Sequence, residues 1–220
     1  MKRALPLVIV IVVGLSAIGG GFALYRAKRP KQLTMTKESG ESKDTTNHVL
    51  GPADAPLTLD EFGDFQCPPC GKLSEPINQL QRDFNPRLRV VFHHFPLINH
   101  QHAREAAWAA EAAGLQGKFW EMHDLIYREQ EVWSKALDVR PLFEAYAGYI
   151  GLNLGKFKTD IDSAEVKDRV TADQTKGTSL GVQNTPTIFL NNQQIDPKRL
   201  GPPDLRAAIE AALKDAKPSS

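Results

Sequence analysis

Apolar and polar positions along the chain predict a strand, a helix and a second strand in its first folded part. The run 57–62 has the alternation of a half-buried β-strand. Residues 68–84 carry apolar residues at helical spacing, with Pro76 as an expected kink. Residues 88–95 are rich in β-branched and aromatic residues, as strands are. These three segments together predict a βαβ unit.

The pattern changes to a helical period from about residue 100 to 180, which predicts an all-helical insertion of about four helices with its aromatic residues in the core. A third strand is expected at 187–190. Asn191-Asn192 reads as a turn, and a short fourth strand is expected to start at Gln193. An amphipathic helix is expected over 203–213. The predicted fold class is α/β, in the order β-α-β, helical block, β-β-α.

The N-terminal segment differs from the rest of the chain. An apolar run covers residues 4–25 between basic flanks, and about 20 apolar residues suffice to cross a bilayer. Because a cleavable signal peptide has a shorter apolar core, we expect residues 1–25 to be a membrane anchor, with a cleaved signal segment as the alternative. The polar residues 26–48 are expected to form a flexible linker. Residues 49–220 then form the folded domain.

Charge and length narrow the function classes. The 220-residue chain has 27 basic and 26 acidic side chains, for a net charge of +1. Since the two signs are mixed along the chain, nothing suggests a nucleic-acid-binding surface.

The chain has only two cysteines, and they lie together as Cys67-Pro68-Pro69-Cys70. A disulfide within the chain must therefore join them. So short a loop stabilises little, which favours a bond that is made and broken. Pro68 suits the first turn of a helix, so Cys67 is expected at the helix N-terminus as an exposed thiol with a lowered pKa. Cys70, one turn further, is expected to be shielded, as a resolving thiol should be.

Two other interpretations of the pair stay open. The cysteines could bind zinc or copper together with histidines of the segment 93–102, namely His93, His94, His100 and His102. The disulfide could also be static, in a tethered binding module. We assign no metal ligand from the sequence, and we expect His93 and His94 to be solvated strand residues.

Several motifs in the right order resemble the DsbA-like thiol–disulfide oxidoreductases of the thioredoxin superfamily, in particular their membrane-tethered branch. They are the turn Phe65-Gln66-Cys67-Pro68-Pro69-Cys70, the loop Asn184-Thr185-Pro186-Thr187 before a strand, the helical block within the βαβ and ββα frame, and the segment 116–123. The resemblance covers residues 49–213 and implies a thioredoxin fold with a helical insertion.

The resemblance also implies residue roles. Cys67 would be the nucleophile and Cys70 the resolving cysteine, with their disulfide as the redox centre and no further cofactor. Glu61 would be a buried carboxylate beneath the disulfide that exchanges a proton with Cys70, unless it is the member of the pair Asp60-Glu61 that faces solvent. Pro186 would be cis, and the backbone of Thr185 would pair with an extended substrate segment.

One departure concerns the dipeptide Pro68-Pro69, where strongly oxidising members carry Pro-His. Without that histidine, we expect a milder oxidant. The expected function is a disulfide oxidase for exported proteins on the outer side of a bacterial cytoplasmic membrane, reoxidised by a membrane partner. A cleaved, secreted form is an alternative. A reductase or isomerase kept reduced by a membrane donor is the alternative in function.

Overall fold

A computed structural model gives the fold and describes residues 48–215. The described strands form one mixed sheet in the order β1-β3-β2-β4-β5. In this sheet β2 and β3 are parallel, and the other neighbouring pairs are antiparallel. The strands are β1 (Val49–Leu50), β2 (Leu57–Gly63), β3 (Leu88–His94), β4 (Thr187–Leu190) and β5 (Gln193–Gln194).

The helices fall into a block between β3 and β4 and two helices that belong to the βαβ and ββα units. The block consists of α2 (Ala103–Gly114), α3 (Phe119–Arg128), α4 (Gln130–Trp133), α5 (Arg140–Tyr149), α6 (Leu154–Asp160) and α7 (Ala164–Ser179). The other helices are α1 (Pro68–Phe84), α8 (Pro202–Asp215) and a 3-10 turn at Pro197–Arg199.

The predicted element order is confirmed, and α1 and β4 have the predicted bounds. The helical block is more divided than predicted, with six helices in place of about four. Gly117 and Gly151, both at positive φ, turn the chain after α2 and α5. Short helices on either side of such turns merge into one apparent period. Strand β1 was not predicted, because a two-residue strand has no alternation to detect.

The sheet is covered by helices on both faces. Helices α1 and α8 pack on the face that carries Leu57 and Leu59 of β2. The helical block packs with Phe65 and Phe92 in a second core. Since side chains alternate along a strand, Glu61 shares the face of Leu57 and Leu59, under α1. This placement brings a carboxylate below the helix that carries the cysteines.

The predicted anchor at residues 1–25 and the predicted linker at residues 26–48 lie outside the described residues except for His48, which is buried. Within residues 48–215, no helix has the length and apolarity needed to cross a membrane.

Candidate active site

The cysteines lie where β2 turns into α1. Cys67 is the N-cap residue of α1, and Pro68 and Pro69 occupy its first two positions. The backbone N–H of Cys67 donates to the carbonyl oxygen of Asp64 at 3.0 Å, and that of Gly71 donates to the carbonyl oxygen of Cys67 at 3.2 Å. Proline has no N–H and a fixed φ that suits a helix start, so the sequence itself places Cys67 at the helix N-terminus.

Both cysteines are buried and unbonded thiols. Cys70 is fully buried, as predicted. The prediction that Cys67 is exposed was wrong, because only 5% of its surface is accessible. The loop before β4 covers it, and its Sγ donates to the carbonyl oxygen of Thr185 at 3.2 Å.

The two thiols have opposite pKa shifts. A hydrogen bond from the Cys70 thiol is the main cause that lowers the pKa of Cys67 to about 6. Burial opposes this shift, the Thr185 side chain and the Cys70 backbone N–H support it, and the charge of Asp64 opposes it. Burial, the hydrogen bond to Cys67 and the charges of Glu61 and Cys67 raise the pKa of Cys70. At neutral pH Cys67 is a thiolate and Cys70 a thiol, which is the division of roles that exchange requires.

Glu61 is buried, with 2% of its surface accessible. Burial and, secondarily, the charge of Cys67 raise its pKa to about 8. Among the described residues its Oε1 has no hydrogen-bond partner. Its neighbour Asp60 is less buried and lies 2.8 Å from His93 Nε2. Of the two adjacent acids, Glu61 is thus the one that is buried on the face under α1, and it is protonated at neutral pH.

Tyr127 of α3 was not identified from the sequence. Its ring stacks at a tilt against Phe65, with centroids 4.8 Å apart, and its buried hydroxyl has no hydrogen-bond partner within residues 48–215. Burial and then the charges of Cys70 and Glu61 raise its pKa well above the usual range. Tyr127 is therefore a neutral, buried phenol near the cysteines, and its hydroxyl can donate a hydrogen bond there.

Gln130 of α4 ties the active-site turn to the helical block. Its Nε2 donates to the carbonyl oxygens of Phe65 at 2.6 Å and Cys67 at 3.0 Å. No local pattern could have revealed this contact, because its partners lie more than sixty residues earlier.

Asp64 organises the turn before Cys67. Its carboxylate accepts hydrogen bonds from the backbone N–H groups of Gln66 at 2.7 Å and Leu97 at 2.8 Å, and it lies 2.7 Å from His100 Nδ1. The bond to Gln66, two residues on, is an Asx-turn. That spacing was a signal available in the sequence, and it was missed.

The loop before β4 has the geometry that the resemblance implies. The Thr185–Pro186 peptide bond is cis, and a second cis bond, not predicted, joins Asn85 and Pro86. Thr185 and Pro186 are half-buried. A cleft of about 560 Å³ extends from them past Pro69 of α1. The cleft also contacts Lys72 and Leu73 of α1, so it runs along the start of the helix that carries the cysteines.

The histidines of the segment 93–102 do not join the cysteines. His93 and His94 are buried, so the prediction that they are solvated was wrong. His93 lies between two carboxylates, 2.8 Å from Asp60 and 3.2 Å from Asp173. Those acids make burial of an imidazole tolerable.

His100 is bound to Asp64, and His102 Nε2 lies 3.0 Å from the carbonyl oxygen of Ala136. Within residues 48–215, the groups of potential metal ligands that the fold assembles include neither cysteine. The structure therefore offers no assembled cysteine–histidine site for zinc or copper in its described part.

Known proteins share this architecture. The crystal structure of oxidised BdbD from Bacillus subtilis has a TM-score of 0.67 and 27% identity, covering 76% of this chain and 92% of that one. MdbA, a thiol-disulfide oxidoreductase from Corynebacterium diphtheriae, has a TM-score of 0.61 and 19% identity, over 77% and 91% of the two chains.

A curated relative, the Na(+)/H(+) antiporter NhaA 1 of Salinispora arenicola, is 39% identical over 150 residues. The alignment covers 67% of this chain and 22% of that protein, and the chain spans less than a third of the curated relatives it matches. A family model described as thioredoxin matches residues 43–211. The chain therefore belongs to the thioredoxin family, and its fold is similar to that of DsbA-like thiol–disulfide oxidoreductases.

Proposed function

We propose that this protein is a disulfide oxidase for exported proteins. The observation that carries the proposal is the opposite shift of the two thiol pKa values, with Cys67 near 6 and Cys70 raised. A stabilised Cys67 thiolate favours the reduced enzyme, which makes the disulfide form a donor of disulfides.

The proposed reaction has two exchange steps. A substrate thiolate attacks the Sγ of Cys67 in the disulfide, and Cys70 leaves as a thiolate that takes a proton. A second substrate thiolate then attacks the substrate sulfur of the mixed disulfide, which releases Cys67 as a thiolate and leaves the substrate oxidised. Two electrons have passed to the enzyme, and a partner disulfide or another oxidant must remove them.

We propose Glu61 as the group that supplies the proton to Cys70. It is buried under α1, and its pKa near 8 leaves it protonated at neutral pH. Ionised Glu61 raises the pKa of Cys70, so the two groups are close enough to influence each other. When Cys70 leaves as a thiolate in a buried place, a neutral acid nearby can protonate it. The pKa match between donor and operating pH suits such a transfer.

We propose that substrates bind as an extended segment along the loop at Thr185 and Pro186. The cleft beside this loop and the 3.2 Å contact of Cys67 with the Thr185 carbonyl oxygen support it. Backbone pairing there would hold many different sequences. Since the thiol of Cys67 donates to this oxygen, the thiolate form frees the oxygen for a substrate N–H.

A reductase held reduced by a membrane donor is the second candidate. The dipeptide Pro68-Pro69 favours it. Neither proline has a backbone N–H, and no histidine stands between the cysteines to stabilise the thiolate further. The part of the Na(+)/H(+) antiporters that aligns with this chain is less than a third of their length, so antiport is not proposed for it.

The location proposed is the outer side of a bacterial cytoplasmic membrane. The apolar run at residues 4–25 and a cysteine pair suited to an oxidising compartment support it. Labelling of Cys67 in intact cells with a membrane-impermeant maleimide would test it. Labelling only after lysis would exclude this location.

The deciding experiment is the equilibrium of the Cys67–Cys70 pair of the full-length protein against glutathione, followed by thiol trapping. A potential more positive than about −200 mV supports the oxidase, because disulfide isomerase and DsbA lie near −180 and −120 mV. A value near thioredoxin's, about −270 mV, overturns the oxidase in favour of the reductase.

A further inference from the structure

A second cluster of buried ionisable side chains lies away from the cysteines. It joins four segments: His48 precedes β1, His94 ends β3, Glu111 is in α2 and Asp173 is in α7. Each has at most 5% of its surface accessible. One ligand atom from each lies within 4.8 Å of all the others. The sequence separates these residues widely, so only the fold brings them together.

The spacing of these atoms suits a small ion. His48 Nε2 and His94 Nε2 lie 2.7 and 3.0 Å from the same oxygen, Glu111 Oε1. On the other side, His48 Nδ1 is 4.0 Å from Asp173 Oδ2. Ligands of a tetrahedral ion with bonds of 2.0–2.1 Å are about 3.3 Å apart. An imidazole gives only one ring nitrogen to an ion. Nε2 of His48 and Nε2 of His94 would therefore move away from Glu111 Oε1 by about 0.3–0.6 Å to reach that spacing, with Asp173 as the more distant ligand.

Hydrogen bonding within the described residues leaves this cluster incomplete. Neither ring nitrogen of His48 has an aligned hydrogen bond, although Nε2 is close to Glu111. His94 Nδ1 and Glu111 Oε2 are also buried without a hydrogen bond, although Arg169 Nη1 forms an ion pair with Glu111 Oε2 at 3.7 Å. Buried polar atoms are nearly always satisfied. Several unmet atoms that belong to one cluster point to a missing common partner.

The charges of the cluster's side chains indicate whether that missing partner is an anion or a cation. Glu111 and Asp173 bring two carboxylates into the interior. Arg169 Nη1 lies 3.7 Å from Glu111 Oε2 and is partly exposed, and His93 Nδ1 lies 3.2 Å from Asp173 Oδ1. The imidazoles of His48 and His94 add donor nitrogens without a fixed charge. A divalent cation would balance the two carboxylates.

Outer contacts already hold one of these carboxylates in place. Asp173 Oδ2 accepts the backbone N–H of His94 at 2.9 Å, and its Oδ1 contacts His93. Such outer contacts are the usual means by which proteins orient metal ligands.

We propose that His48, His94, Glu111 and Asp173 bind one divalent transition-metal ion as a closed structural site. Two imidazoles with two carboxylates match zinc, whereas calcium takes six to eight oxygen ligands. Four protein ligands leave no position open for a substrate, which is the mark of a structural site. The ion would bind the sheet to helices α2 and α7. This proposal does not depend on the direction of thiol exchange.

The test uses full-length protein with Cys67→Ser and Cys70→Ser, so that thiols cannot bind the metal. After removal of metal with a chelator, Zn²⁺ is titrated against a competing chelator, and native mass spectrometry counts the ions. We expect one ion per chain. Loss of an outer contact alone costs about 10–100-fold in affinity, so His94→Gln and Glu111→Gln should each cost more than about 100-fold.

His102→Gln is the matched control, because His102 is also buried but contacts the Ala136 carbonyl oxygen and not the cluster. It should bind Zn²⁺ like the parent. Binding that survives His94→Gln and Glu111→Gln, or a parent that takes up no Zn²⁺, overturns the proposal. The second result would mean that contacts within the protein alone hold the carboxylates of the cluster.

If the ligand variants do not fold, Co²⁺ bound to the cysteine-free parent decides. Strong visible bands of a four-coordinate nitrogen and oxygen site, displaced by one equivalent of Zn²⁺, are expected. A weak spectrum of hydrated, six-coordinate cobalt would contradict the site.

Discussion

Glu61 and Glu111 are both buried glutamates of one domain, and their pKa values move in opposite directions. Around Glu61, burial dominates, and the nearest charge is the negative Cys67, so its pKa rises to about 8. Around Glu111, burial also raises the pKa, but contacts from His48 and His94 overcome it and lower the value to about 2. Burial therefore does not decide the state of a carboxylate. The donors around it decide.

The difference in pKa gives the two glutamates different roles, proton transfer for Glu61 and a structural role for Glu111. A carboxyl group that is neutral at pH 7 can give up a proton, as exchange at Cys70 requires. A carboxylate that stays charged under all ordinary conditions can hold cationic partners in place. Among the residues that the structure describes, Glu61 thus has no hydrogen-bond donor that would stabilise its charged form, whereas Glu111 has contacts from His48 and His94 that do. Substitutions in each region should have opposite consequences for stability.

The largest effect is expected at Cys70. Cys70→Ala removes the resolving thiol and the main hydrogen bond that lowers the Cys67 pKa. Turnover in the oxidation of a reduced, unfolded substrate protein should be lost. The pH midpoint of Cys67 alkylation should rise from near 6 toward 9, the ordinary value.

Cys70→Ser is the matched control for that shift. Its hydroxyl still donates a hydrogen bond, so the midpoint should stay lower than in Cys70→Ala, while turnover is equally lost. If both variants show the parent midpoint, Cys70 is not what lowers the Cys67 pKa.

The next effect in size is expected for Glu111→Gln, measured as the free energy of unfolding in chelator. Removing one partner of a buried charge pair costs about 3–5 kcal/mol. Glu121→Gln is the control, since Glu121 makes an exposed contact with Lys118 at 3.1 Å, and such pairs contribute about 0–1 kcal/mol. Equal losses in the two variants would remove the distinction between Glu111 and a surface carboxylate.

Glu61→Gln should change the free energy of unfolding in the opposite direction and stabilise the protein. Between pH 4.5, the ordinary pKa, and about 8, unfolded Glu61 releases its proton while the folded protein keeps it. Stability that Glu61 gives below pH 4.5 is therefore lost as pH rises to about 8. The variant should gain about 4 kcal/mol over the parent at pH 8, and almost no difference is expected at pH 4.5.

Urea unfolding at the two pH values checks this, together with exchange rate. If Glu61 supplies the proton, the variant exchanges more slowly at pH 7 despite its greater stability. A variant that is less stable than the parent at pH 8 would show that Glu61 is ionised in the fold and partnered there.

The two regions also differ in how much of their structure could be predicted from the sequence. Cys67, Cys70 and the strand and helix that carry them could be predicted, because Cys-x-x-Cys, Pro68 and the apolar alternation are local signals. Glu61 was found by its spacing from Cys67 in a resembling family. Gln130 and Tyr127 were missed, since their partners lie far away in sequence.

The burial of His93 and His94 also could not be predicted from the sequence. His93 and His94 follow one another in a strand, and nothing nearby in the sequence marks them as buried. Their partners Asp173 and Glu111 come from helices of the insertion. Only tertiary packing reveals that both imidazoles have carboxylates to contact. Long-range polar contacts are the part of a site that a single sequence hides.

The smallest effect is expected at Pro69. It tests whether the missing backbone N–H of this proline limits the hydrogen bonds that stabilise the Cys67 thiolate. An N-cap side chain accepts hydrogen bonds from the N–H groups of the second and third helical residues. Pro69 occupies the second position and has no N–H. Pro69→Ala should restore that donor and lower the Cys67 pKa by less than about one unit. One unit corresponds to about 30 mV for a two-electron couple, so the potential should rise by at most about that amount.

Pro68→Ala is the control for this last change, because the N–H of the first helical residue is not one that the N-cap side chain accepts. Both prolines are exposed, so neither change should cost packing. Equilibration with glutathione measures both potentials. A rise in Pro69→Ala alone would show that the missing N–H keeps this protein a milder oxidant. Equal potentials in the two variants would place the control of the potential with Cys70 and Thr185, since those residues supply the remaining hydrogen bonds to Cys67.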